Sequence, residues 1–118
     1  MTPFGSKLKT SGSGARQTAH FYCPGCREHH TVTIRGGGTW GFNEDGDKPT
    51  FTPSVLVRGA KKLTDQQHAD WMSGKAPLPL AELVVCHSFV TAGRIQFLGD
   101  CTHDLAGQTV DLPDWRLP

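Results

Sequence analysis

Alternation of period two is the dominant signal along the chain. His30-Thr31-Val32-Thr33-Ile34-Arg35 switches between polar and apolar residues as a half-buried strand does, and His20-Phe21-Tyr22 precedes it across a Cys23-Pro24-Gly25-Cys26 turn. The two segments predict a hairpin with cysteines at its tip. A Gly36-Gly37-Gly38 break leads to Thr39-Trp40-Gly41-Phe42-Asn43, and Glu44-Asp45-Gly46-Asp47 has strong turn chemistry. Phe51 to Val57 reads as another strand, in which Pro53 demands an edge position or a bulge. Leu83 to Gly99 is the clearest hairpin, because Thr91-Ala92-Gly93 suits a three-residue loop ending at positive φ. That register puts Leu83, Val85, His87 and Phe89 on one face with Ile95 and Phe97, and leaves Cys86 with Ser88, Arg94 and Gln96. Continued further, the strand brings Cys101 and His103 to the His87 side.

One helix is predicted. Thr64-Asp65-Gln66-Gln67 has the capping-box form and Gly74 supplies a stop, so the helix is short and peripheral. Pro77 and Pro79 close what reads as an insertion at about 59–80 within a single β domain over residues 18–118. Residues 1–17 are rich in Lys, Ser, Thr and Gly and read as a flexible basic N-terminal tail. Fourteen glycines and eight prolines leave little room for long helices. The expected class is therefore mostly β: a small zinc-ribbon-like domain of antiparallel hairpins with one short peripheral helix. A core of this size buries only about two-thirds of the unfolded surface, so a metal staple would matter.

The chain has no run of roughly eighteen apolar residues and no apolar stretch near Met1 suited to a signal peptide, which implies a soluble, cytoplasmic protein with no membrane partner. In a reducing compartment, spaced cysteines are better read as metal ligands than as disulfides. A net charge of +1 argues against the broad footprint of a duplex-DNA binder. Charge is uneven, however: Lys7, Lys9, Arg16 and Arg27 all precede the first acid, Glu28, so nucleic acid is a conceivable partner for the basic tail.

Four cysteines and six histidines carry the candidate chemistry. A Cys-x-x-Cys turn aims both sulfurs at one ion, and zinc then needs two more donors from Cys86, His87, Cys101 and His103. The facing argument favours Cys23, Cys26, His87 and His103 on Zn2+. An all-cysteine set completed by Cys86 and Cys101 is the alternative. A redox reading of the first pair is discounted, since no helix follows Cys26 to lower a thiol pKa. His29 and His30 read as solvent-facing, with His29 a possible substitute ligand. A catalytic zinc would keep one position open and want a carboxylate base, for which Asp100, then Asp104, is available, although both also suit turn positions. With enough donors to close the shell, a structural zinc is the expectation. Trp40, Phe42 and Phe51 fit a core better than a base-stacking surface.

Phe21-Tyr22-Cys23-Pro24-Gly25-Cys26, Trp40-x-Phe42-Asn43, Pro49-Thr50-Phe51-Thr52-Pro53-Ser54, Cys86-His87-Ser88-Phe89-Val90, Gly99-Asp100-Cys101-Thr102-His103 and Ala106-Gly107-Gln108-Thr109-Val110-Asp111-Leu112-Pro113 together resemble a family of small phage and prophage proteins often labelled ammonia monooxygenase. The label itself does not suit the chain, because a membrane copper oxygenase needs spanning helices and a His-rich copper site. In that family the position of Cys101 also admits serine while that of His103 stays histidine, so the resemblance implies His103 as fourth ligand. That family is of unknown function; its phage setting and the small size of the chain lead to the expectation of a small phage-encoded interaction module with a structural zinc, acting on a host or phage protein. A nucleic-acid-binding zinc ribbon and a zinc-dependent hydrolase with Asp100 or Asp104 as base are the alternatives.

Overall fold

Two antiparallel meanders account for the alternating segments. A computed structural model describes every residue except Gly38, Lys62, Ala81 and 116–118, and every side chain of the described residues except that of Ser13. Gly38 of the expected glycine break thus lies outside the described residues. The first sheet contains β1 (Thr2–Phe4), β2 (Leu8–Ser13), β3 (Arg16–Cys23) and β4 (Glu28–Arg35), in that order. The second contains β5 (Gly41–Phe42), β6 (Phe51–Ala60), β7 (Leu83–Thr91), β8 (Arg94–Phe97) and β9 (Thr109–Asp111), again in chain order. Helix α1 (Asp65–Met72) lies on the connection from β6 to β7 and buries none of its residues. Thr64 accepts the Gln67 N–H while the Gln67 side chain accepts that of Thr64, which is the expected capping box. The mostly β class with one short peripheral helix is therefore what the chain adopts.

The inward faces of the sheets meet in one core. Alternation on β3 buries Ala19, Phe21 and Cys23, and β4 adds Val32 beside them. Phe21 of the first sheet stacks on Phe51 of the second at 5.9 Å, and Phe51 stacks on Phe42 at 5.1 Å. Burying each phenylalanine contributes about 1.5–3 kcal/mol, so the Phe21–Phe51 contact ties the layers and Phe42, beside Phe51 on the second sheet, extends it. Trp40 and Phe42 pack against the same core, as expected of them.

Three expectations about the chain change. Residues 1–17 are not a tail: they supply β1, β2 and the start of β3, with Leu8 fully buried and Thr10 nearly so. Lys7 pairs with Asp114 at 3.0 Å and Lys9 lies over the Trp115 ring at 5.2 Å, so two of the basic side chains assigned to a nucleic-acid arm are engaged within the fold. The stretch read as an insertion at 59–80 begins inside a strand, because β6 continues to Ala60.

The third change concerns register. Ala92 and Gly93 both have positive φ, 50° and 79°, and Thr91 pairs directly with Arg94, so the loop has two residues rather than three. Ser88 then stands opposite Phe97 and Val90 opposite Ile95. A slip of one residue turns every side chain over. Cys86, Ser88 and Val90 consequently face the core, while His87 and Phe89 face outward.

Truncating Leu8 tests the placement of the N-terminal strands. Leu8→Ala is expected to lower unfolding stability by about 2–5 kcal/mol in a denaturant titration, where a flexible tail would show no change.

Candidate active site and metal cluster

The β3–β4 turn brings two sulfurs together. Arg27 N–H closes it on the Cys23 carbonyl at 2.8 Å, Arg27 has a φ of 57°, and the Cys26 amide points at Cys23 Sγ at 3.4 Å. Cys86 reaches the same place from β7, with its Sγ 3.8 Å from that of Cys23. His103 completes the group: one donor atom from each of Cys23, Cys26, Cys86 and His103 lies within 4.8 Å of the others. Two thiolates on a tetrahedral zinc with bonds of about 2.3 Å stand roughly 3.8 Å apart, so the spacing fits. His103 Nε2 is buried without a hydrogen-bond partner, and a Cβ on Gly25 would collide with the ring, so glycine in the turn admits it where it stands. Nδ1 takes a 3.2 Å contact from the Leu105 N–H. Ligation through Nε2 would move the ring proton to Nδ1, and that longer contact is the one that would yield.

Electrostatics in the cluster point the same way. A hydrogen bond from Cys86 draws the Cys23 thiol down to about 4, with His30 and the Cys26 amide adding to the effect against the cost of burial. Burial, then the charge on Cys23, pushes Cys26 up to about 12. Cys86 is raised as well, first by the hydrogen bond it gives Cys23 and then by burial. One thiolate suppresses ionisation of its neighbours, whereas a divalent cation at their centre would favour all three. These four residues could hold a metal ion such as zinc.

A second constellation lies on the outward face. Between Phe51, opposite Val90, and Val55, opposite Ser88, the residues Thr52, Pro53 and Ser54 stand against Phe89 alone. This bulge, the irregularity expected at Pro53, brings Ser54 beside the β7 residue two places away. Trp40 Nε1 donates to the Ser54 carbonyl at 3.1 Å and holds the bulge in place. The Ser54 Oγ is 2.9 Å from His87 Nε2, and His87 Nδ1 is 3.3 Å from Asp100 Oδ2. Asp100 accepts the Nδ1 proton, which leaves the Nε2 lone pair for the serine hydroxyl. The His87 backbone is also fixed, since its N–H points at Cys101 Sγ at 3.2 Å and its carbonyl accepts from Leu98 N–H at 2.9 Å and from the Cys101 thiol at 3.2 Å.

A family model described as the bacterial ubiquitination-like system serine protease (BubE) matches residues 4–98. The chain belongs to the BubE family. No curated protein and no solved structure gives a significant match. The family match overturns the phage and prophage assignment and, with it, the phage-encoded interaction module; neither alternative function is the one that the BubE description names. Nothing in the match supports an ammonia monooxygenase. Ser54 and His87 fall within the matched span, and Asp100 lies two residues beyond it.

Of the four residues expected on zinc, Cys23, Cys26 and His103 come together and His87 does not. Cys86 takes its place because the two-residue turn reverses the faces of β7. Cys101, the other member of the all-cysteine alternative, is buried beneath His87 instead. His30 is buried at 4% exposure rather than solvent-facing, and Phe21 meets it edge-on. Asp100 meets a histidine rather than a metal cluster. Ser54 had no signal of its own in the sequence beyond sitting in a proline- and threonine-rich strand.

No helix among the described residues is long and apolar enough to cross a membrane. Metal analysis of purified variants tests the cluster. Cys86→Ser is expected to lose the bound ion while His87→Ala keeps it, and Gly25→Ala, which displaces His103, should weaken affinity by about 10–100-fold.

Proposed function

We propose that this BubE-family chain is a serine protease of a bacterial ubiquitination-like system, with Ser54 as nucleophile, His87 as general base and Asp100 as the carboxylate that orients His87. The hydrogen-bonded series from Ser54 Oγ through His87 to Asp100 carries the reading. In the first step Oγ attacks the carbonyl carbon of the scissile bond while its proton passes to Nε2. The protonated imidazole, steadied by the Asp100 carboxylate, returns that proton to the leaving group as the bond breaks. An acyl-serine remains. Water, deprotonated by Nε2, then attacks the ester and restores the hydroxyl.

The metal in this reading is a structural zinc on Cys23, Cys26, Cys86 and His103. Four protein donors close a tetrahedral shell, and the role that suits them is to hold the β3–β4 turn, β7 and the segment after β8 together. When bound, zinc supplies charge for three thiolates. Closely spaced thiols of this kind suit a reducing compartment, so we place the protein in the cytoplasm.

Labelling with a fluorophosphonate tests the nucleophile. Wild-type protein should be modified at Ser54, and Ser54→Ala should be silent. Against a hydrolysable acyl substrate, Ser54→Ala and His87→Ala are each expected to lower kcat by about 10⁴-fold or more, and Asp100→Asn by about 10²–10³-fold, since Asp100 is half exposed. Full labelling of Ser54→Ala would remove the reading.

Exhaustive chelation tests the zinc. The midpoint of thermal unfolding should fall together with fluorophosphonate labelling, and stoichiometric zinc should restore both. A protein that keeps its unfolding midpoint without metal would show the cluster to be dispensable to the fold.

A further inference from the structure

The strand that carries Ser54 has an open edge. β5 covers β6 only at Phe51 and Thr52. From there to Ala60, β6 pairs with β7 alone, and among the described residues no backbone hydrogen bond outside that ladder engages Val55 to Ala60. Strand alternation tells which groups face out. The carbonyls of Val85 and His87 accept from Thr102 and Leu98 on the far side of β7, so Val84, Cys86 and Ser88 are the residues that bond to Gly59, Val57 and Val55. Lys61 N–H to the Glu82 carbonyl at 2.9 Å continues the same series. Leu56, Arg58 and Ala60 therefore turn both N–H and C=O away from the sheet. An added Cβ on Gly59 would meet nothing within 4 Å, and Arg58 and Ala60 are exposed.

Long bare edges are usually shortened or covered, because they pair readily with other chains. This one starts at the proposed nucleophile and runs roughly 20 Å at about 3.3 Å per residue. A cavity of about 450 Å³ borders it on the inner side, lined by Gly25, Cys26, Glu28 and Val57 among others. On the outer side Leu56 is 43% exposed beside His87.

We infer that the substrate is an extended polypeptide whose acyl portion adds as a further strand to β6, antiparallel to it, with its last carbonyl at Ser54. This rests on Ser54 being the nucleophile. Direction follows from connectivity: residues preceding the scissile carbonyl must run from Ala60 toward Ser54, opposite to β6. The leaving portion would instead have to pair in parallel, the weaker arrangement. Substrate amides two residues apart meet Leu56, Arg58 and Ala60, and the intervening amides face solvent. Side chains opposite Leu56 lie on the outer apolar surface, and those between them enter the inner cavity.

Coumarin esters provide the test, with acetyl or with acetylated Leu-Thr peptides of two, four and six residues as the acyl group. The value of kcat/KM should climb with length up to six residues. N-methylation of one alternate set of amides should lower it by about fivefold per amide, and methylation of the other set should leave it unchanged. In wild-type protein acylated by the matching peptidyl phosphonate, hydrogen exchange at Leu56, Arg58 and Ala60 should slow. Rates that are flat with length, or methylation effects without alternation, overturn the strand addition while leaving a serine hydrolase. Absence of both ester hydrolysis and fluorophosphonate labelling at Ser54 removes the nucleophile itself, and the two failures are thereby told apart.

Discussion

Cys86 and His87 are consecutive on β7 and, because side chains alternate across a strand, they serve opposite faces of the same sheet. Cys86 turns inward to Cys23, Cys26 and His103, and His87 turns outward to Ser54 and Asp100. The arrangement is repeated on the segment after β8, where Cys101 is buried against the His87 backbone while Asp100 reaches the His87 ring. Whatever fixes the inner residues thus fixes the outer ones within one peptide unit. Three pieces of chain far apart in sequence must converge for this, and bringing such ends together has an entropic cost that grows only slowly with loop length. A cation held by all three pieces would offset that cost at the point where the geometry matters most.

The two-sheet core supplies the rest of the rigidity. Phe21 stacks across the layers on Phe51, which also stacks on Phe42 of its own sheet, and Phe51 begins the strand that carries Ser54 three residues later. Mounting the serine and histidine on adjacent strands, rather than on long loops, limits how far either can wander. The Trp40 bond to the Ser54 carbonyl serves the same end, because it ties the bulge to the strand-free segment between the sheets.

Strands with an apolar face are legible in the sequence alone. β3, β4, β6 and β7 alternate visibly, and the Thr64 capping box marks α1 without ambiguity. β1 and β2 are not, since Thr10, Ser11, Gly12 and Ser13 carry no hydrophobic face, and the apolar side chains that tie the two strands to the core, Phe4 and Leu8, lie outside that stretch. The β7–β8 register turned on whether Thr91 belonged to the loop or the strand, a one-residue question with consequences for every side chain beyond it. With Thr91 counted in the loop, His87 faces inward and Cys86 outward. Cys23 and Cys26 were legible because their spacing alone creates a ligand pair. The serine was not, because no glycine-framed motif surrounds Ser54 and the order Ser, His, Asp differs from the common triads. Such a site is defined by cross-strand proximity, which a linear reading does not contain.

Exposure is the least conventional property of the proposed triad. Asp100 is more than half open to solvent and His87 a quarter open, in a setting where water weakens the attraction between carboxylate and imidazolium. A chain laid along β6 would change that. It would cover the strand edge that starts at Ser54, expel water from the face that carries the imidazole, and strengthen each electrostatic contact there without moving a catalytic atom. The same binding event would then both position the scissile carbonyl and lower the local dielectric. On that account a small substrate lacking an extended acyl portion would react slowly for two reasons: it would be held by fewer backbone hydrogen bonds, and it would leave the proposed triad wet.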